Sequence, residues 1–112
     1  MPRRDPRIAL QQMRDHAHEA IDLMQGRRRA DLESVRMLNL SLVRLLEIVG
    51  EAANRVPTDE RERYPAIPWP GIVGLRNRLI HGYDEVDLDV VWQVVTADLP
   101  LLVAELDRIL PP

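Results

Sequence analysis

Apolar residues return every three or four positions along three long stretches of this chain, a period that buries one face of a helix and cannot bury one face of a strand. The first stretch runs from about Arg7 to Gln25 and carries Leu10, Met13, Ala17, Ala20, Ile21 and Met24 in register. Asp5 and Pro6 stand where a cap and a first-turn residue belong, and Gly26 stops the pattern. The second runs from about Asp31 to Val56, with Val35, Leu38, Leu42, Leu45, Val49, Ala52 and Val56 on one stripe, widened by Leu40, Leu46, Ile48 and Ala53. A helix apolar over more than one face is covered on more than one side, so the pattern predicts a central position, a dimer contact, or both. The third runs from about Leu88 to Leu110, and Pro100 within it is expected to kink the helix by removing a backbone donor.

Between the second and third stretches, Pro57, Pro65, Pro68 and Pro70 leave room for one short helical turn around Thr58 to Tyr64, with Thr58 as its candidate cap. A further helix is predicted from Pro70, carrying Ile72, Val73, Leu75, Leu79 and Ile80 until Gly82 ends it. The expected architecture is all-α: an up-and-down four-helix bundle with one additional short helix. At 112 residues the chain can fill one hydrophobic core, so a single domain over residues 1–112 is expected. The absence of Phe, with only two Trp and two Tyr, suits helix packing better than an aromatic-rich sheet.

Composition also removes several function classes. With no Cys there is no disulfide framework, thiolate metal site or cysteine nucleophile. No apolar run approaches the roughly 18 residues of a membrane span, and no secretory leader is recognised at the start. A soluble, cytoplasmic protein with no membrane partner is expected. Net charge is −3 but unevenly spread: residues 1–30 hold seven Arg against four acids, and residues 84–112 one Arg against seven acids. The basic end could meet a phosphate backbone, while the last helix could not. The connector Arg27 to Arg29 is either such a contact or a solvated turn.

The chemistry-bearing residues cluster in Arg76-Asn77-Arg78-Leu79-Ile80-His81-Gly82-Tyr83. At roughly 100° per residue, a helix continued through this segment puts Asn77 and His81 one turn apart and Arg76 nearly in line with Tyr83. A fixed cation, an amide, an imidazole and a phenol would then share one patch. His exchanges protons near neutral pH, and Arg binds phosphate and stabilises charge built up in its displacement. Spacing alone leaves a plainer alternative, with His81 serving the last helical carbonyls, Gly82 as the C-terminal cap and Tyr83 as a packing ring. Glu51 reads as a buried carboxylate paired with an Arg or orienting Arg76 or His81, and Gly50 as a point of close helix contact. His16 and His18 face different sides of their helix and are expected in solvent, so no metal site is expected. Trp69 and Trp92 read as core or dimer anchors.

Arg-Asn-x-x-x-His-x-Tyr, written here as RNRLIHGY, resembles the signature of the HepT-like toxins, a branch of the HEPN superfamily. Ile48-Val49-Gly50-Glu51-Ala52-Ala53 is similar to that family's "IGEA" segment, and Tyr64-Pro65-Ala66-Ile67-Pro68-Trp69 to its loop before the motif helix. Val86 to Val95 and Leu99-Pro100-Leu101-Leu102 extend the resemblance to roughly residues 7–110. The resemblance implies an endoribonuclease toxin that cleaves RNA without a metal or other cofactor, as a homodimer with the Arg-His pairs facing one cleft. It also implies a partner, a minimal nucleotidyltransferase antitoxin that silences the toxin by AMP transfer to the motif tyrosine. By position, Arg76 and His81 would be catalytic, Asn77 supporting, and Tyr83 the modification site. The alternative is a non-catalytic module that binds a nucleotide or the nucleotidyltransferase.

Overall fold

The computed structural model describes residues 5–82 and 85–112, and over these the chain is mostly helical. Helix α1 (Pro6–Met24) begins where Asp5 Oδ1 accepts the Arg7 N–H at 2.9 Å and ends before Gly26, whose φ of +75° lies in the left-handed region open to glycine. The predicted helix from Asp31 to Val56 is instead two, α2 (Asp31–Ser34) and α3 (Arg36–Asn54), because Val35 turns extended at φ −110°, ψ 91°. Asn39 explains how the break is tolerated: its side-chain amide donates to the Leu32 carbonyl at 3.1 Å, while Leu32 itself is fully buried. At the far end of α3, Arg61 performs the same service, with Nε donating to Val56 O at 2.8 Å and Nη2 to Asn54 O at 3.2 Å.

Helix α4 (Thr58–Glu62) follows Pro57, which occupies the cap position, so Thr58 is the first helical residue and caps nothing. The helix expected from Pro70 to Gly82 is also divided. Helix α5 (Trp69–Val73) and helix α6 (Leu75–Leu79) are separated at Gly74, and the chain leaves helical geometry altogether at Ile80, φ −117°, ψ 121°. There β1 (Ile80–His81) pairs antiparallel with β2 (Glu85–Val86), Ile80 opposite Val86 and His81 opposite Glu85. Two local forces favour the hairpin over another helical turn. Gly82 adopts φ +85°, and the Asp87 N–H takes the Leu79 carbonyl at 2.7 Å, so the backbone group freed at the end of α6 is satisfied. Gly82 therefore belongs to the connection between two strands and is not a helix cap.

Helix α7 (Leu88–Gln93) is capped by the Asp87 side chain and runs into a π-helical turn (Val94–Asp98) and then α8 (Leu99–Ile109). Pro100 falls at the start of α8, directly after the π-helical turn, whose wider winding takes up the irregularity of its missing N–H. α1 packs against both α3 and α8, while α3 also supports α5 and α6 on another side. Leu10, Met13 and Ala17 of α1 meet Leu42, Leu46 and Val49 of α3 and Leu99 and Leu106 of α8 in a core that, among the described residues, contains no buried polar side chain. α3 is thus central, as its broad apolar surface required, but Met37 and Leu40 remain 80% and 52% exposed. Among the described residues no helix is long and apolar enough to cross a membrane.

Candidate functional site

Gly50 allows the site to form. A Cβ at this position would come within 2.9 Å of the Ile72 carbonyl, so only glycine lets α3 approach α5 this closely. The close contact sets α6 beside the C-terminal half of α3 and opens a cleft of about 280 Å³ lined by Glu47, Gly50, Glu51, Asn54, Val73, Arg76 and Asn77. Arg76 projects from α6 with its side chain 74% exposed, its Nε 3.8 Å from Glu47 Oε2. At that distance the ion pair is a loose one, and the exposed guanidinium keeps donors available for another anion. Asn77, next on α6, is exposed in the same wall.

His81 lies on another element. Because α6 ends at Leu79, the one-turn relation predicted between Asn77 and His81 does not hold, and His81 is not among the residues lining the cleft. Its exposed ring stands on β1 with Nε2 3.4 Å from Asp87 Oδ2. Among the described residues no hydrogen bond or ion pair joins Arg76 to His81. Tyr83, the expected modification site, lies outside the described residues.

Glu51 pairs with an Arg as expected, Arg44 at 3.4 Å, but its carboxylate is exposed and not buried, and Glu47, one turn earlier, is the acid that meets Arg76. The sequence offered a signal for this, since Arg44, Glu47 and Glu51 recur at helical spacing on the flank of the apolar stripe. Asp87 is a functional candidate that sequence reasoning does not single out, although an acid directly before an apolar-periodic segment is an ordinary cap signal. Its carboxyl is held below the usual 3.8, first by the Val90 N–H and then by hydrogen bonding and charge attraction from His81.

The remaining candidates are otherwise engaged. Arg29 of the basic connector bridges Asp89 at 2.8 Å and Glu33 at 3.0 Å, tying the connector to the first turn of α7. Arg78 turns away from the cleft toward Asp98, 3.8 Å away. His18 lies exposed beside Asp22, as expected, whereas His16 is only partly in solvent, with Nδ1 3.7 Å from Glu19. Trp69 is a buried anchor whose Nε1 donates to the carbonyls of Arg61 and Tyr64, both at 3.1 Å, and Trp92 is half-buried against the core. No group of three or more His, Asp or Glu among the described residues is arranged to hold a metal ion.

The mostly helical scaffold displays this exposed Arg-Asn pair and His81, and the family follows from comparison. The chain belongs to the HepT-like ribonuclease family, whose family model matches residues 13–109. It is 33% identical to "Putative RNase MJ1380" of Methanocaldococcus jannaschii over 107 residues, covering 96% of this chain and 98% of the relative. It is 34% identical to "Probable ribonuclease HepT" of Thermococcus cleftensis over 95 residues, covering 81% and 86%. "Putative RNase TTE0752" of Caldanaerobacter subterraneus subsp. tengcongensis is 31% identical over 105 residues, with 94% of each chain covered. No solved structure gives a significant match.

Proposed function

We propose that this chain is a metal-independent endoribonuclease in which Arg76 binds the scissile phosphate and His81 moves the proton. The observation that carries the proposal is the exposure of both side chains on structured elements, in a chain whose family and named relatives are ribonucleases. Cleavage proceeds by attack of the ribose 2′-oxygen on the adjacent phosphorus, with loss of the 5′-oxygen, and leaves a cyclic phosphate end. His81 handles protons in this exchange, Arg76 stabilises the phosphorane charge, and Asn77 supports the phosphate from the same wall.

A homodimer completes the reading. Met37 and Leu40 leave an apolar face on α3 about two to three turns before the Arg76 cleft, and a second copy covering that face would bring two Arg-His sets toward one groove. We read the helices as a single-domain, HEPN-like four-helix bundle of α1, α3, the α5–α6 pair and the α7–α8 arm, with α2 and α4 as additional short helices. In its toxin-antitoxin setting, the partner is a minimal nucleotidyltransferase that transfers AMP to Tyr83, and the added phosphodiester and nucleoside repel and block the RNA.

A second reading, a non-catalytic module for nucleotide or nucleotidyltransferase binding, draws support from the pairing of Arg76 with Glu47 and the separation of Arg76 from His81 within one chain. One experiment separates the two. The purified protein is incubated with single-stranded RNA in EDTA and the product ends are analysed. Cyclic phosphate ends that vanish in Arg76→Ala establish the ribonuclease, and intact RNA favours the binding module. Tyr83→Phe should still cut RNA but resist silencing by the nucleotidyltransferase with ATP and Mg²⁺.

A further inference from the structure

The neutral imidazole carries one proton on either of two nitrogens, and a fixed acceptor beside the ring decides which. This chain provides such an acceptor from outside the RNRLIHGY segment. Asp87 divides its carboxylate between two tasks: Oδ1 accepts the Val90 N–H at 3.1 Å and caps α7, while Oδ2 lies 3.4 Å from His81 Nε2. The residue has little freedom to move away. Its own N–H is bonded to Leu79 O at 2.7 Å, and the pairing of Ile80 with Val86 holds the His81 strand against the segment leading into Asp87. Its side chain is about one-third exposed, against 58% for His81, so the acceptor sits on the inner side of the ring and leaves the outer side open.

Capping alone does not require this residue type, since Ser, Thr or Asn would satisfy the first N–H groups of α7 equally well. None of them offers an anionic second oxygen to the ring while capping. Among the described residues, the other charged groups on the elements around His81 are Glu85, directly across the hairpin, Arg76 and Arg78 on α6, and Asp89 in the first turn of α7. Arg76 and Arg78 are cations and cannot accept the ring proton, and Asp89 is bridged by Arg29 at 2.8 Å. Glu85 is the remaining competitor.

We propose that Asp87 is the positioning residue of His81: it accepts the Nε2–H, holds the neutral ring in that tautomer, and presents Nδ1 outward as the proton-accepting nitrogen. The consequence for chemistry rests on the ribonuclease reading above. As the 2′-oxygen bonds to phosphorus, its proton passes to Nδ1, the Nε2–H stays on Asp87, and the P–O5′ bond breaks with the departing oxygen taking a proton from water. The Asp87 carboxylate faces the imidazolium so formed and stabilises it, as a buried acid does for a general-base histidine.

The test reads the ring directly. In the full chain labelled with ¹⁵N-histidine, long-range ¹H–¹⁵N spectra at a pH where the ring is neutral should show His81 with its proton on Nε2. Asp87→Ser keeps a capping oxygen and the helical signal but cannot reach the ring, so the Nδ1–H form should appear alongside. Glu85→Gln should leave the tautomer unchanged. In single-stranded RNA cleavage, Asp87→Ser should lower kcat by roughly ten- to a hundredfold with KM nearly constant, as for other outer partners of a functional histidine. A proton on Nδ1 in the parent protein, or an unchanged tautomer ratio in Asp87→Ser, overturns the proposal. A tautomer that shifts in a protein unable to cut RNA upholds the positioning role and instead defeats the ribonuclease reading.

Discussion

α1 and α3, each 19 residues long, differ in kind from the segment between Trp69 and Asp87, where no helix exceeds five residues and the strands have two each. The long helices follow an unbroken apolar period and bury Leu10, Met13, Leu42 and Leu46 to within 1% of complete burial. The short elements bury Trp69, Leu75 and Leu79 but keep Arg76, Asn77 and His81 in solvent. The contrast shows a division of labour: uninterrupted helices supply the core, and a heavily punctuated segment leaning on them displays polar side chains in solvent. Stability and function should therefore respond to different substitutions.

The sharpest test compares His81→Ala with Leu46→Ala. If His81 carries the proton, its loss should lower RNA cleavage by roughly 10²- to 10⁴-fold, while thermal unfolding stays within about 0.5 kcal/mol of the parent, because the ring is largely in solvent. Leu46 is completely buried, and its truncation should cost about 2–5 kcal/mol in denaturant melts, with the chemistry intact in whatever fraction stays folded. A large stability loss in His81→Ala would erase the proposed division.

Gly50 lies on the boundary between the two regions, so Gly50→Ala should affect both. Its methyl would meet the Ile72 carbonyl at 2.9 Å and push α5 and α6 away from α3. Overpacking of this kind costs about 1–3 kcal/mol, and the displaced Arg76 wall should weaken RNA binding as well. Retention of both stability and binding would show that the close approach is not needed.

The smallest effect belongs to Asp5, at the remote end of α1. Asp5→Ala removes the cap on the Arg7 N–H and should lower Tm slightly without changing cleavage. The pH dependence has a definite sign. Hydrogen bonding from the Arg7 side chain, then from its backbone, holds the Asp5 carboxyl below 3.8 in the folded chain. Its contribution is therefore complete above pH 3.8 and is lost as the pH falls through the lower folded-state value. Melts of the parent and Asp5→Ala should converge in acid, and a gap that widens there would contradict the assignment.

The helical class, the start and stop of α1 and the central place of α3 were legible in the sequence, as was the sharing of one exposed wall by Arg76 and Asn77. Each depends on short-range rules: a side-chain period, a cap before proline, a glycine at positive φ, a wide apolar stripe. Family membership rested likewise on residues close together in the chain. Only the tertiary structure decided where Val35 interrupts a helix, that Ile80 and His81 form a strand, that Glu47 and not Glu51 meets Arg76, and that Asp87 stands behind His81. Those outcomes depend on partners supplied from elsewhere, the Asn39 amide for a freed carbonyl, the Asp87 N–H for Leu79, and the Gly50 contact that seats α6. A helical periodicity records which face a residue would take if the helix continued, and carries no information about a competing hydrogen bond that ends it.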